Sequence, residues 1–229
     1  MLNVFYKEYN LDKRTREMLS NLGSPQVYEA GDIIYYQDEP SPGLVYLEDG
    51  RLKNVIFYPD GTQKTLCILE APSITGETAV VDNGTTICSA VAVTKVKVVF
   101  IPREKAQKML LDNPNLMMLI LEYMAKKIRS MQLQAQVVVS NIPQRLAYML
   151  LHPQKYGVYC HNQDESRLII THDELASFIG TTRPKITEHL NAFMKQGLIQ
   201  KGRGFIQIVD PEGLRRIANH ETPNLIVNK

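Results

Sequence analysis

Residues 170–209 read "ITHDELASFIGTTRPKITEHLNAFMKQGLIQKGRGFIQIV". Thr171 and Glu174 stand at capping-box spacing, so each side chain can satisfy a free amide of a first helical turn. Gly180 ends that helix, because glycine accepts the left-handed conformation of a helix terminus. Thr182 is placed to cap a second helix, whose apolar stripe is Ile186, Leu190 and Phe193 or Met194 and which Gly197 closes. A small hairpin turning at Arg203-Gly204 follows. The first turn of the second helix carries Arg183, Pro184 and Lys185, which a buried turn would exclude. From Arg183 to Arg203 there are five basic residues against one acid, Glu188. Helix, tight turn, helix with a polar basic start and basic hairpin together describe a winged helix-turn-helix whose second helix enters the major groove of DNA.

Composition fits this reading and excludes others. The chain has 229 residues, 44% hydrophobic and 22% charged, with a formal charge of +2, so the basic excess is local rather than global. No apolar run is long enough for a membrane span, and the N-terminal "MLNVFYKEYNLDKRTREM" turns charged too soon for a signal peptide, so a cytoplasmic protein is expected. Cys67, Cys88 and Cys160 are an odd set without CxxC spacing, which suggests buried thiols rather than disulfides or a metal site. No histidine pair has i,i+4 ligand spacing either, so no metal and no cofactor are expected. Neither G-x-S-x-G, a Walker loop nor H-E-x-x-H occurs, which argues against an enzyme.

Upstream, from about Gln26 to Pro102, short apolar or alternating runs ("DIIYYQ", "LVYLE", "LKNVIFY", "KTLCIL", "TICSAVAV", "KVKVVFI") are separated by turn signals. Asp49-Gly50 and Pro59-Asp60-Gly61 read as hairpin turns. Many short strands at this spacing predict a sandwich or barrel. From Arg103 the pattern turns helical, and Asn113-Pro114 marks where a long helix starts. On it Met117, Leu121, Met124, Ile128, Met131, Ala135, Val138 and Ile142 keep alternating spacings of four and three, a heptad seam that predicts a homodimer through this helix. The alternative is that the stripe packs against the strand domain. The expected organisation is an α+β chain: a β-roll domain over 1–112, a dimerisation helix over 113–142 and a winged helix over 143–229.

In order along the chain, "YEAGDIIYYQDEPSPGLVYLEDGRLK", Gly76-Glu77, Asn113-Pro114, "PQRLAYMLL" and "ITHDELASFIGTTRPKITEHLNAFMKQGLI" resemble the cyclic-AMP receptor / fumarate-nitrate reductase regulator superfamily of bacterial transcription factors. The likeness covers about residues 25–210. It implies a cyclic-nucleotide-binding-type β-roll of jelly-roll kind, effector signals carried along the long helix, palindromic promoter DNA as partner, and RNA polymerase as a further partner in an activator.

The resemblance also implies where an effector would sit: Gly76, Glu77, Thr78, Cys88, Ser89 and the flanking helix. In the cyclic-nucleotide sensors an Arg followed by Ser or Thr, about ten residues after Gly-Glu, binds the phosphate, and the Glu binds the ribose. Here that place is Ile87-Cys88 or Cys88-Ser89, without arginine, so a cyclic nucleotide is not expected. Gly76 and Glu77 then read as structural, one for backbone geometry and one for an internal hydrogen bond. No cysteine cluster precedes Cys67 and no histidine lies in the roll, so iron-sulfur and haem sensing are not expected. There remain a small organic effector or a redox signal at Cys67 and Cys88. Tyr123 and Lys126, three apart on one helix face, resemble positions of the halogenated-phenol-sensing branch, with Lys127 beside them; a solvated helix face is the plain alternative.

For DNA, Arg183 matches the family's first recognition arginine, a candidate for guanine O6 and N7. Pro184 and Glu188 stand where the family commonly has Glu and Arg, so its familiar half-site should not be read unchanged. Lys185, Thr187 and Glu188 are further base-reading candidates. Thr181, Thr182 and Lys201 are candidates for phosphate contacts, and Arg203 of the hairpin is a further DNA-binding candidate. A regulatory module without DNA binding is the competing class.

Overall fold

The computed structural model describes residues 11–136, 140–153, 167–202 and 205–219. The chain forms two compact units that divide between Arg129 and Ser130.

The first unit opens with helix α1 (Lys13–Leu22), whose N-cap Asp12 accepts from the Thr15 amide at 2.7 Å. Eight strands follow: β1 (Ser24–Tyr28), β2 (Ile33–Tyr35), β3 (Leu44–Asp49), β4 (Arg51–Phe57), β5 (Gln63–Glu70), β6 (Ser73–Thr75), β7 (Ser89–Ala92) and β8 (Val96–Ile101). They make two four-stranded sheets, ordered β1-β8-β3-β6 and β2-β7-β4-β5, with antiparallel pairing throughout. Leu44, Val45, Leu47, Leu52, Val55, Ile74 and Val98 are buried. Pro59-Asp60-Gly61 is the β4–β5 hairpin turn: Asp60 accepts from the Thr62 amide at 2.9 Å, and Gly61 has φ +82°. Asp49-Gly50 is not a hairpin turn, since β3 and β4 belong to different sheets. It is the corner between them, where Gly50 has φ +84° and a Cβ would come within 2.2 Å of the Lys95 carbonyl oxygen.

Helix α2 (Glu77–Asp82), absent from the sequence reading, interrupts the strands, and α3 (Arg103–Asp112) follows them. The long helix α4 (Pro114–Gln136) buries Leu116, Ile120 and Tyr123. This stripe lies one residue out of step with the expected seam. Of that seam, Leu121, Ile128 and Met131 are about half exposed (50%, 54% and 48%), Ala135 is exposed and Met117 and Met124 are intermediate. Ile142 is not on this helix: Asn141 starts a new one there, and Val138 lies outside the described residues.

The second unit contains α5 (Ile142–Leu151), β9 (Arg167–Leu168), α6 (His172–Ile179), α7 (Arg183–Lys195), β10 (Ile199–Gly202), β11 (Phe205–Ile208) and α8 (Pro211–Ala218). Asn141 and Gln144 form a capping box at α5, and the three strands pair antiparallel in the order β10-β11-β9. Leu146, Phe178, Ile186, Leu190 and Leu214 close the core. Burying each such side chain contributes about 1.5–3 kcal/mol.

Candidate functional site

Two regions carry chemistry, one in each unit. In the first, Gly76 sits at φ +81° as the N-cap of α2, and a Cβ there would approach the Gly43 carbonyl oxygen to 2.6 Å. Only glycine fits, and the turn it makes places Glu77 inside the roll, 1% exposed. There Lys127 of α4 donates to Glu77 Oε1. The Lys127 ammonium also lies 5.9 Å from the centre of the Tyr123 ring. Burial works against a charged lysine, but the Glu77 carboxylate, with Cys67 and Tyr123 behind it, holds its pKa above the ordinary range.

Around this pair the interior is hydrogen-bonded to itself. The Tyr35 hydroxyl and Thr75 Oγ1 lie 2.9 Å apart, and Asn54 donates to Thr75 at 3.1 Å. Ser89 is fully buried, and its hydroxyl accepts the Gln37 amide at 2.9 Å. Cys67 and Cys88 are buried free thiols. Burial pushes both up, Cys88 to about 12 with Cys67 as a second cause. The Tyr123 phenol is likewise pushed up to about 12, chiefly by burial.

Of the two lysines beside Tyr123, it is Lys127 whose ammonium lies over the ring and pairs with Glu77, while Lys126 is half-buried on the same helix. Thr78 is half-buried on α2, and Ile87 points outward, 57% exposed. Neither the Lys127–Glu77 pairing nor the part played by Tyr35, Asn54 and Thr75 was legible beforehand. The partners are distant in sequence, and no spacing rule joins them.

In the second unit the capping box at α6 is formed: Thr171 Oγ1 accepts from the Glu174 amide at 3.1 Å, and Glu174 accepts from the Thr171 amide at 2.8 Å. Gly180 closes α6 at φ +73°, and Arg145 of α5 donates to the Ile179 carbonyl at 3.0 Å, adding a cation to the helix end. Thr182 occupies the N-cap of α7 but its side chain makes no capping bond. Pro184, in the first turn, has no amide to offer, so one of the usual targets of such a cap is absent.

Ile186, Leu190 and Phe193 anchor α7 in the core, which turns Arg183, Pro184, Lys185 and Glu188 to the outside and leaves Thr187 half-buried. Thr181 is half-buried and Thr182 exposed in the turn. Three contacts tie this face together: Arg183 Nη1 to Asp173 Oδ2 at 3.4 Å, His172 Nδ1 to Thr187 Oγ1 at 2.9 Å, and Lys201 Nζ to Asn191 Oδ1 at 2.5 Å. Arg183, Lys185 and Glu188 are exposed on α7, and Thr187 and Lys201 are half-buried. Arg203, Gly204 and Cys160 lie outside the described residues. The sequence reading missed His172 and Asp173, which reach α7 from α6, and Asn191, which meets Lys201 of β10.

Among the described residues, no helix is long and apolar enough to cross a membrane and no group of metal-ligating side chains is assembled. Residues 25–113 match the family model of the cyclic nucleotide-binding domain, and residues 144–217 that of the Crp-like helix-turn-helix domain. The CRP-like cAMP-activated global transcriptional regulator of Mycobacterium tuberculosis is 27% identical over 200 residues, spanning 85% of this chain and 88% of that one. The global nitrogen regulator of a Nostoc species is 25% identical over 211 residues, spanning 88% and 93%. Among solved structures, a mutant of CooA from Carboxydothermus hydrogenoformans has the same fold, with a TM-score of 0.77 at 17% identity over 94% of this chain and 98% of that one.

Proposed function

We propose, for a chain that belongs to the cyclic-AMP receptor / fumarate-nitrate reductase regulator superfamily of transcription regulators, that it acts as a homodimer on inverted-repeat promoter DNA in the cytoplasm. The observation that carries the DNA reading is α7: its inner stripe is fixed in the core while Arg183 and Lys185 stand exposed on its first turn. Arg183, Lys185, Thr187 and Glu188 read bases; Thr181, Thr182, Lys201 and Arg203 hold phosphates. The exposed stripe of Leu121, Ile128 and Met131 supports a helix-to-helix dimer, because half-exposed large apolar side chains at heptad spacing gain by burial against a second copy. RNA polymerase is a partner if the protein activates.

The effector is not a cyclic nucleotide. The carboxylate that would hold a ribose is engaged by Lys127, and no arginine stands near Ile87-Cys88. A small aromatic or other organic anion fits better, exchanging for Glu77 on the Lys127 ammonium beside the Tyr123 ring. A redox signal at Cys67 and Cys88 has less support, since buried, protonated thiols are poor nucleophiles. Selection from a random duplex library, followed by footprinting, tests the DNA reading. Protected half-sites centred about 10 bp apart are expected. Failure to enrich any duplex would leave a ligand-binding module instead. A thermal-shift panel of nucleotides, aromatic acids and oxidants tests the effector class.

A further inference from the structure

We propose that His172 is a positioning residue for DNA recognition: its ring decides which way the Thr187 hydroxyl faces, so that the grip on DNA takes up a proton. The inference rests on the reading of α7 as the DNA-contacting helix. His172 is the first residue of α6, half-buried against α7, with Nδ1 2.9 Å from Thr187 Oγ1. Its Nε2 makes no hydrogen bond to a described residue. The charged groups that face the ring are Lys201 on β10, Arg183 on α7 and Asp173 on its own helix.

The roles in this contact depend on the ring's tautomer and charge, and in our proposal the neutral ring carries its proton on Nε2. In a neutral ring that carries its proton on Nε2, Nδ1 can only accept, so the Thr187 hydroxyl spends its hydrogen on the ring. A charged ring donates from both nitrogens. Thr187 Oγ1 must then accept, and its own hydrogen is free to turn outward to a base or phosphate. In the free protein the neutral ring is favoured: burial first, then Lys201 and Arg183, lower the His172 pKa, and Asp173 only partly opposes them. A phosphate laid against Lys201 weakens that field, and the outward bond that Thr187 can make to DNA only while the ring is charged adds to the preference for the proton.

The sign follows. If the bound state holds the proton more tightly than the free state, affinity is greatest below the free-state pKa and is lost as pH rises through the bound-state pKa. Lowering pH should therefore strengthen binding, and change it roughly tenfold for each unit by which DNA raises the pKa.

The test titrates the full chain, at constant ionic strength and between about pH 5.5 and about pH 8, against the duplex it enriches from a random library and against a scrambled duplex. The wild-type protein should bind the enriched duplex more tightly at the acid end. His172→Gln should bind it with a flat pH profile, and Thr187→Val should lose most of the slope on that duplex while melting as the wild type does. His189→Gln should keep the slope. A flat wild-type profile overturns the proposal. So does a full slope in His172→Gln, which would place the proton elsewhere, or in Thr187→Val, which would mean that the ring acts by charge alone. Should His172→Gln not fold, the Thr187→Val profile decides by itself. If no duplex is enriched, the reading of α7 fails and this inference fails with it.

Discussion

Lys127 of α4 donates a hydrogen bond to Glu77 of α2 inside the β-roll, joining the long helix to the short one across 50 residues of sequence. The pair stands where the family's effector would be expected, and each partner satisfies the other away from water. Removing one member of such a pair costs far more than replacing both, because the survivor is left buried alone.

Lys127→Met should therefore destabilise the protein by about 3–5 kcal/mol, and Lys127→Met with Glu77→Gln should recover much of that loss. Denaturant titration of the single and double variants measures the coupling. Simple additivity would show that the two residues act independently.

On the exposed side of the same helix, Ile128→Lys should turn a dimer into a monomer by sedimentation, since it puts two like charges at the middle of the apolar stripe. A dimeric variant would place the interface elsewhere.

Calorimetry should detect no micromolar binding of cyclic AMP or cyclic GMP. Binding in that range would mean that Lys127 leaves Glu77 to serve as the phosphate partner, and the organic-anion reading would fall.

Cys67 and Cys88 should resist iodoacetamide at about pH 8 in the folded protein and react once it is unfolded. With Cys88 held near 12 against an ordinary 9.0, the fold keeps a thiol proton that the unfolded chain gives up. The stability that this proton supplies is complete below about pH 9 and is lost as pH rises toward about pH 12. Rapid alkylation of the native chain would reopen the redox reading.

Arg183→Ala should weaken binding to the enriched duplex by about 1–3 kcal/mol and relax preference at one symmetric guanine. Lys201→Ala should weaken all duplexes nearly equally and flatten the salt dependence. Equal losses on enriched and scrambled DNA in Arg183→Ala would make that residue a phosphate anchor.

The parts of the molecule that local rules govern were legible in the sequence. The capping box at Thr171, the glycine terminus at Gly180 and the strand runs either side of Pro59-Asp60-Gly61 each follow from a few neighbouring residues, and they appear where expected. What long-range packing decides was not legible. Asp49-Gly50 has hairpin chemistry but turns a corner between sheets. The stripe at Leu116, Ile120 and Tyr123 hid beside the more regular one at Met117, Leu121 and Met124, because one helix carries both patterns and periodicity reports the stronger. At the candidate sites, the sequence offers Tyr123, Lys127 and a Glu77 with an internal hydrogen bond, but not that Lys127, 50 residues away, is the partner in that bond.

The Asp173–Arg183 ion pair bears on how selective this surface can be. Both side chains are about two-thirds solvent-exposed (67% and 65%), so the pair is worth about 0–1 kcal/mol. Even so, it gives the guanidinium somewhere to return to. With Arg183 as the guanine contact proposed above, a duplex that offers only a poor acceptor would have to compete with a carboxylate already within reach, whereas a guanine presenting two acceptors would displace it. The acid on the neighbouring helix thus sets a floor under which a DNA sequence is not worth holding, and Asp173→Asn should lower that floor, tightening binding to scrambled DNA more than to the preferred site.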